Sequence, residues 1–369
     1  MKFFFGTLIF CLIFVGGFVF WEDPGNRWSS SQEPSTAPGY GQAWIHPKQL
    51  DERALKLALL KGEPKADIVY FGSSRVILAD STMGNGAKRT LNLGVSGASV
   101  EDLVAFWQAL KESRKIPSHI VIFIDPWIFN LNSAQTRWLT NRKLVLSFSA
   151  DHSLGILSRA GDQIYLWKSS VDSVWSEFTG LFGWENFKAS YSKFRGKPST
   201  VLGSKMSILS TDRVPDNESA TRWDGAHIYN KEFLKEAEQP GLEVRALAYA
   251  RTNPVYSLGK WKVDYHAIEL LRALLVDIQQ HRSTVLLIAP PYHPATLSEL
   301  RKSEVYGPIL DFYLHEVTRV ITETQHGGVR FCDAIEASFA RCLDSEFLDG
   351  MHPTKACTAK IIAACAASP

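Results

Sequence analysis

Ser74, Asp349 and His352 are the residues of this sequence whose types and surroundings fit nucleophilic chemistry. Ser74 lies in Phe71-Gly72-Ser73-Ser74-Arg75, directly after the short apolar run Asp67 to Phe71. A serine hydroxyl is a poor nucleophile at neutral pH, and needs an imidazole to take its proton and a carboxylate to orient that imidazole. Asp349 and His352 supply both groups within Phe347-Leu348-Asp349-Gly350-Met351-His352-Pro353. Each motif alone has a plainer explanation: a Gly-Ser-Ser turn is most often a helix N-cap, and Asp-Gly and His-Pro pairs occur in ordinary turns. The combination is much less common than its parts.

The elements that must position these residues follow a doubly wound pattern. Asp67–Phe71 reads as a buried parallel strand stopped by Gly72, Arg89–Gly94 as a second, and His119–Ile124 as a third closed by Asp125 and Pro126. Helical character precedes the first run, at 48–61, and separates the second from the third, at Val100–Ser113. The alternation resumes with a helix over Asp264–Gln280, a strand at Ser283–Ala289, a helix near Gly307–Glu323, a strand at Val329–Cys332 and a helix after Pro353. Loops at the carboxyl ends of such strands form the ligand crevice, so Ser74 is expected to face a substrate. Between 131 and 260 the strand pattern weakens and tryptophans accumulate, which predicts an inserted, mainly helical subdomain between core segments 48–130 and 261–369.

Three stretches together resemble the SGNH/GDSL hydrolases: Gly72-Ser73-Ser74-Arg75, Asn92-Leu93-Gly94-Val95-Ser96-Gly97 and Asp349-Gly350-Met351-His352-Pro353. The resemblance implies a three-layer α/β/α, flavodoxin-like parallel sheet, with Ser74 as nucleophile, His352 as base and Asp349 as its orienting acid. The N–H groups of Ser74 and Gly97 are then the oxyanion donors. It covers residues 65–130 and 262–366, and departs from the family at two points. Ser73 stands where an aspartate is usual, and Asp125-Pro126-Trp127 where the third block has an asparagine. The altered first block and the apolar N-terminus are similar to SGNH-like proteins of teichoic acid D-alanylation and exopolysaccharide O-acetylation. The implied activity is hydrolysis or transfer of an acetyl-like acyl ester on an envelope polysaccharide, with a membrane-bound O-acyltransferase as a further partner and no metal or organic cofactor. A non-catalytic glycan-binding or scaffold subunit is the alternative. Ser73, Arg75, Asp125, Trp127, Trp223, Asp224 and His293 are the further residues expected to shape substrate binding.

Composition narrows the setting. With 45% hydrophobic and 21% charged residues the chain is that of a folded protein, and a net charge of +2 gives no footprint for nucleic acid. Phe3–Trp21 is an uncharged apolar run of about the ~20 residues a helix needs to cross a bilayer. It predicts a single-pass anchor over 1–21 in the cytoplasmic membrane, followed by a linker over 22–47 and an extracytoplasmic domain; a cleaved signal peptide is the rival. Four cysteines outside that run, Cys332, Cys342, Cys357 and Cys365, are expected to pair in an oxidising compartment. If Cys357 and Cys365 share the C-terminal helix they are too far apart to join each other, and Cys332–Cys342 is the expected bridge.

Overall fold

The apolar runs assemble into a mixed α/β fold around a five-stranded parallel sheet. The computed structural model describes residues 37–46, 51–84, 86, 89–133, 135–154, 207–237, 241–252, 258–324 and 327–368. In chain order the elements are β1 (Gln42–Ile45), α1 (Glu52–Gly62), β2 (Ile68–Phe71), β3 (Thr90–Asn92), α2 (Val100–Glu112), β4 (His119–Phe123) and α3 (Arg142–Asp151). Next come β5 (Ile208–Ser210), β6 (Ala220–Arg222), β7 (His227–Ile228), α4 (Lys231–Ala237), α5 (Leu242–Thr252) and α6 (Tyr265–Gln280). The chain closes with β8 (Thr284–Ala289), α7 (Pro294–Lys302), α8 (Tyr306–Thr324), β9 (Val329–Asp333) and α9 (Lys355–Ala367).

The parallel sheet has the order β3-β2-β4-β8-β9. Its first strand therefore lies between the second and third, the arrangement in which the chain reverses direction of winding and a crevice opens at the carboxyl ends. Strand side chains alternate between faces. Val69, Phe71, Ile120, Ile122, Val285 and Leu287 enter one core with residues of α1, α2, α6 and α8, while Tyr70, Val121, Phe123, Leu286 and Ile288 enter the other with α9. Burial on both faces is why these strands read as continuous apolar runs. Helix starts are local: Asp51 accepts from the N–H groups of Arg53 and Ala54, and Asp264 from those of His266 and Ala267.

One expectation about domain layout needs correction. The end of the expected linker is a strand: β1 forms a small antiparallel sheet, order β5-β1-β6-β7, and Trp44 in it is fully buried. The described residues of the insertion contribute the short strands β5, β6 and β7 beside the helices α3, α4 and α5. These strands are two to four residues long and carry no clear apolar alternation. The expectations for Phe3–Trp21, and for Trp167, Trp175 and Trp184, lie outside the described residues. Among the described residues no helix is long and apolar enough to cross a membrane.

The expected Cys332–Cys342 bridge is replaced by two others, Cys332–Cys365 and Cys342–Cys357, with Cα–Cα distances of 5.6 and 5.3 Å. Helix α9 packs against the face that carries Cys332, so its two cysteines each reach a different neighbour rather than one another. The second bridge spans 15 residues, and the loop it closes contains both Asp349 and His352. Closing a loop of this length contributes about 3 kcal/mol. The Cys342→Ser/Cys357→Ser variant is therefore expected to lose about 2–4 kcal/mol in urea denaturation.

The junction between the small sheet and the core holds two histidines. His46 Nε2 meets Thr221 Oγ1 at 2.6 Å, and the rings of His46 and His227 lie 5.2 Å apart. Burial lowers His46 to about 4, with Glu52 raising it and Lys56 lowering it further. Burial, then His46 and Lys56, lowers His227 to about 3. Unfolded histidine titrates near ~6.5, so below that pH the unfolded chain binds protons that the folded chain refuses. Stability is then expected to fall as the pH drops from about 6.5 toward 3, and His227→Gln should flatten that slope in urea denaturation at pH 7 and pH 4.5.

Candidate active site

Strand β2 is followed by Gly72, whose φ of +137° suits glycine and whose added Cβ would meet the Phe123 carbonyl oxygen at 2.5 Å. The chain therefore turns sharply beside β4, and the turn presents Ser74 at the carboxyl edge of the sheet while Ser73 on its other side is fully buried. Ser74 Oγ lies 2.8 Å from His352 Nε2, and His352 Nδ1 lies 2.7 Å from Asp349 Oδ2. Asp349 Oδ1 accepts the N–H groups of Met351 and His352 at 2.8 and 2.9 Å, which sets the turn between acid and base. Burial pushes the Asp349 carboxyl up, but the hydrogen bond and charge of His352 and the two backbone N–H groups outweigh it and hold the carboxyl below its ordinary value. Asp349 is thus a stable anion against which the imidazole is oriented.

The second block clamps the nucleophile turn. Asn92 donates through Nδ2 to the carbonyls of Val76 and Ala79, both at 2.8 Å, and accepts from the Gly94 N–H through Oδ1. The Val95 N–H donates to the Gly72 carbonyl at 3.0 Å. Gly97 has a φ of +56°, and a Cβ there would fall 2.4 Å from Arg137 Nη2 and 2.6 Å from Gln135 Oε1. Those two side chains, which no sequence motif marks, occupy the space that a side chain at Gly97 would need.

Of the residues expected to touch substrate, most are internal struts. Arg75 is 1% exposed and lies over the Tyr292 ring, 4.4 Å from its centroid. It donates to Met351 O at 3.0 Å, Asp125 Oδ1 at 3.0 Å, Pro290 O at 2.9 Å and Pro291 O. One guanidinium thereby ties the nucleophile turn to the ends of β4 and β8 and to the loop carrying His352. Asp125, also 1% exposed, is raised above the ordinary carboxylate value by burial, against the opposing effects of Arg75, Ser73 and His352. As a carboxylate it accepts hydrogen bonds only, so it does not replace the donor of the usual third-block asparagine. Buried Trp127 donates to the Ala98 carbonyl at 3.2 Å and braces the second block instead of facing a ligand.

Asp224 is buried and accepts from the Ser81 N–H at 2.9 Å and from Arg222 at 3.1 Å, docking the small sheet onto the core. Trp223, expected as a sugar platform, is half-buried and packs on the exposed ring of Tyr40, with centroids 4.7 Å apart. His293, expected to face the crevice, is 1% exposed; its backbone N–H donates to the Gly350 carbonyl at 3.0 Å and its ring packs edge-on against Phe347. Burial lowers its pKa. His293 thus holds the Asp349–His352 loop from inside and offers almost no surface.

A cavity of ≈ 480 Å³ is lined by residues such as Leu78, Arg222, Ile228, Leu234, Phe347 and Lys355, and Ser74, Asp349 and His352 are not among its lining residues. The hydrogen-bonded Ser-His-Asp chain can pass the serine proton to the imidazole and stabilise the resulting cation, as required for attack on an ester carbonyl. The chain matches no family model and no curated protein sequence.

Proposed function

We propose that the protein is an SGNH-type serine ester hydrolase or O-acyltransferase of the cell envelope, acting on acyl esters of a polysaccharide. The observation that carries this reading is the Ser74–His352–Asp349 chain at 2.8 and 2.7 Å, at the carboxyl edge of a doubly wound sheet. In the proposed reaction Ser74 Oγ attacks the acyl carbonyl as His352 Nε2 takes its proton. The C–O bond to the alcohol breaks, and His352 returns the proton to the departing oxygen. Water, or a sugar hydroxyl in the transfer case, then attacks the acyl-Ser74 ester with His352 again as base. The N–H groups of Ser74 and Gly97 are the proposed oxyanion donors.

Two disulfides support an oxidising compartment, in keeping with a membrane-anchored protein whose domain lies outside the cytoplasm. One observation favours the scaffold reading: Asp125 is bound to Arg75 and leaves the third oxyanion position without its usual donor. Release of free acid from acylated envelope polysaccharide, measured with wild-type protein and Ser74→Ala, separates the two. Ser74-dependent release is expected. Equal polysaccharide binding by both proteins with no release from either would leave the scaffold role.

A further inference from the structure

The first turn of α1 grips the second block at a single residue. Ser96 donates its N–H to Glu52 Oε2 at 2.7 Å and its hydroxyl to Glu52 Oε1 at 3.1 Å, and its carbonyl accepts from Arg53 Nη2 at 3.4 Å. Two neighbouring side chains thus hold the N–H, the hydroxyl and the carbonyl of Ser96. They are fixed in turn. Arg53 is 2% exposed and makes a two-point pair with Asp102, Nε to Oδ1 and Nη2 to Oδ2, both at 2.7 Å. Asp102 also accepts the Ser99 N–H at 3.0 Å, and Asp51 caps the start of α1 through the N–H groups of Arg53 and Ala54.

A trans peptide points its carbonyl and its N–H in opposite directions. The described chain has no cis bond, so a Ser96 carbonyl turned toward Arg53 turns the Gly97 N–H away from it. No described residue accepts from that N–H, nor from the N–H of Ser74. Gly97 is buried, and an N–H without an acceptor in a buried residue is uncommon and calls for a partner. The same block lies against the nucleophile turn, because the Val95 N–H donates to the Gly72 carbonyl at 3.0 Å. Resting on the esterase reading, we propose that Glu52 and Arg53 are positioning residues, which fix the plane of the Ser96–Gly97 peptide so that the Gly97 N–H is preset for the oxyanion. A donor already in place costs no reorganisation as charge develops. Its aim matters more here because Asp125, bound to Arg75, stands where the third block has its asparagine donor.

The test is three substitutions at half-buried Glu52, assayed on p-nitrophenyl acetate with Ser74→Ala turnover subtracted. Glu52→Ala removes both bonds to Ser96, and Glu52→Asp keeps the charge on a side chain one methylene too short to hold them. Each should lower kcat about 10–100-fold with KM changed by less than about twofold, the signature of a displaced oxyanion donor. Glu52→Gln keeps the length and an acceptor for the Ser96 N–H, and should stay within about threefold of wild type. The inhibition constant of a trifluoromethyl ketone, which forms an anionic tetrahedral adduct on a serine, should rise by the factor that kcat/KM falls. A merely structural Glu52 would move the urea midpoint and leave that constant unchanged. Glu52→Asp decides alone should Glu52→Ala fail to fold. Ser74-dependent turnover with kcat of these variants within about twofold of wild type, a loss confined to KM, or an equal loss in Glu52→Gln overturns the proposal and leaves the esterase reading standing. No Ser74-dependent turnover by the wild-type protein removes both.

Discussion

Ser74→Ala and His352→Ala are each expected to lower turnover of an activated ester by at least about 10³-fold, with the double variant little worse than either single one. The reason is the continuous hydrogen-bonded chain from Ser74 Oγ to Asp349 Oδ2, whose members act as one unit. Asp349→Asn should cost about 10²–10⁴-fold. The asparagine retains an oxygen for the N–H groups of Met351 and His352, so the loop is kept while the orienting charge is lost. Ser73→Ala is the internal control: Ser73 is buried and its Oγ accepts the Arg75 N–H at 3.2 Å, so that variant should retain most activity. Steady-state kinetics on p-nitrophenyl acetate measures all five variants.

Arg75→Met is expected to destabilise the fold by about 3–5 kcal/mol, the usual consequence of removing one partner from a buried ion pair. Here the loss extends beyond Asp125. The carbonyls of Met351, Pro290 and Pro291 lose their donor as well, and Tyr292 loses the cation packed on its face. Pairing it with Asp125→Asn should recover part of the loss, because the double variant no longer buries an uncompensated carboxylate. Urea denaturation of the two single variants and the double gives the coupling. Because Met351 adjoins His352, the protein that remains folded should also turn over ester more slowly than wild type.

The parallel sheet was legible in the sequence for a physical reason. Strands β2, β4 and β8 are covered on both faces, and such strands are written as unbroken β-branched and aliphatic runs closed by Gly or Pro. The hydrogen-bonded set of Ser74, His352 and Asp349 was legible because the proposed chemistry demands three residue types and tolerates few substitutes. Strands β1 and β5 to β7 left no such mark, since short strands in a small antiparallel sheet carry little periodicity. The disulfide partners were illegible because they depend on where α9 lies against β9, which is tertiary information. Arg75, Asp125 and His293 show the same limit at the scale of one side chain. Polar residues beside a nucleophile look alike in sequence whether they point outward to a ligand or inward as a strut, and here all three are at least nine-tenths buried. Gln135 and Arg137 belong to no motif, and only the backbone path brings them to Gly97.

The central claim is that Ser74 is a nucleophile made reactive by His352. It is tested most directly by exposing the folded protein to a fluorophosphonate ester and mapping the adduct by peptide mass spectrometry. A single adduct on Ser74 is predicted, retained in Ser73→Ala and strongly slowed in His352→Ala. An adduct on Ser73, or no adduct on a protein shown to be folded, would contradict it.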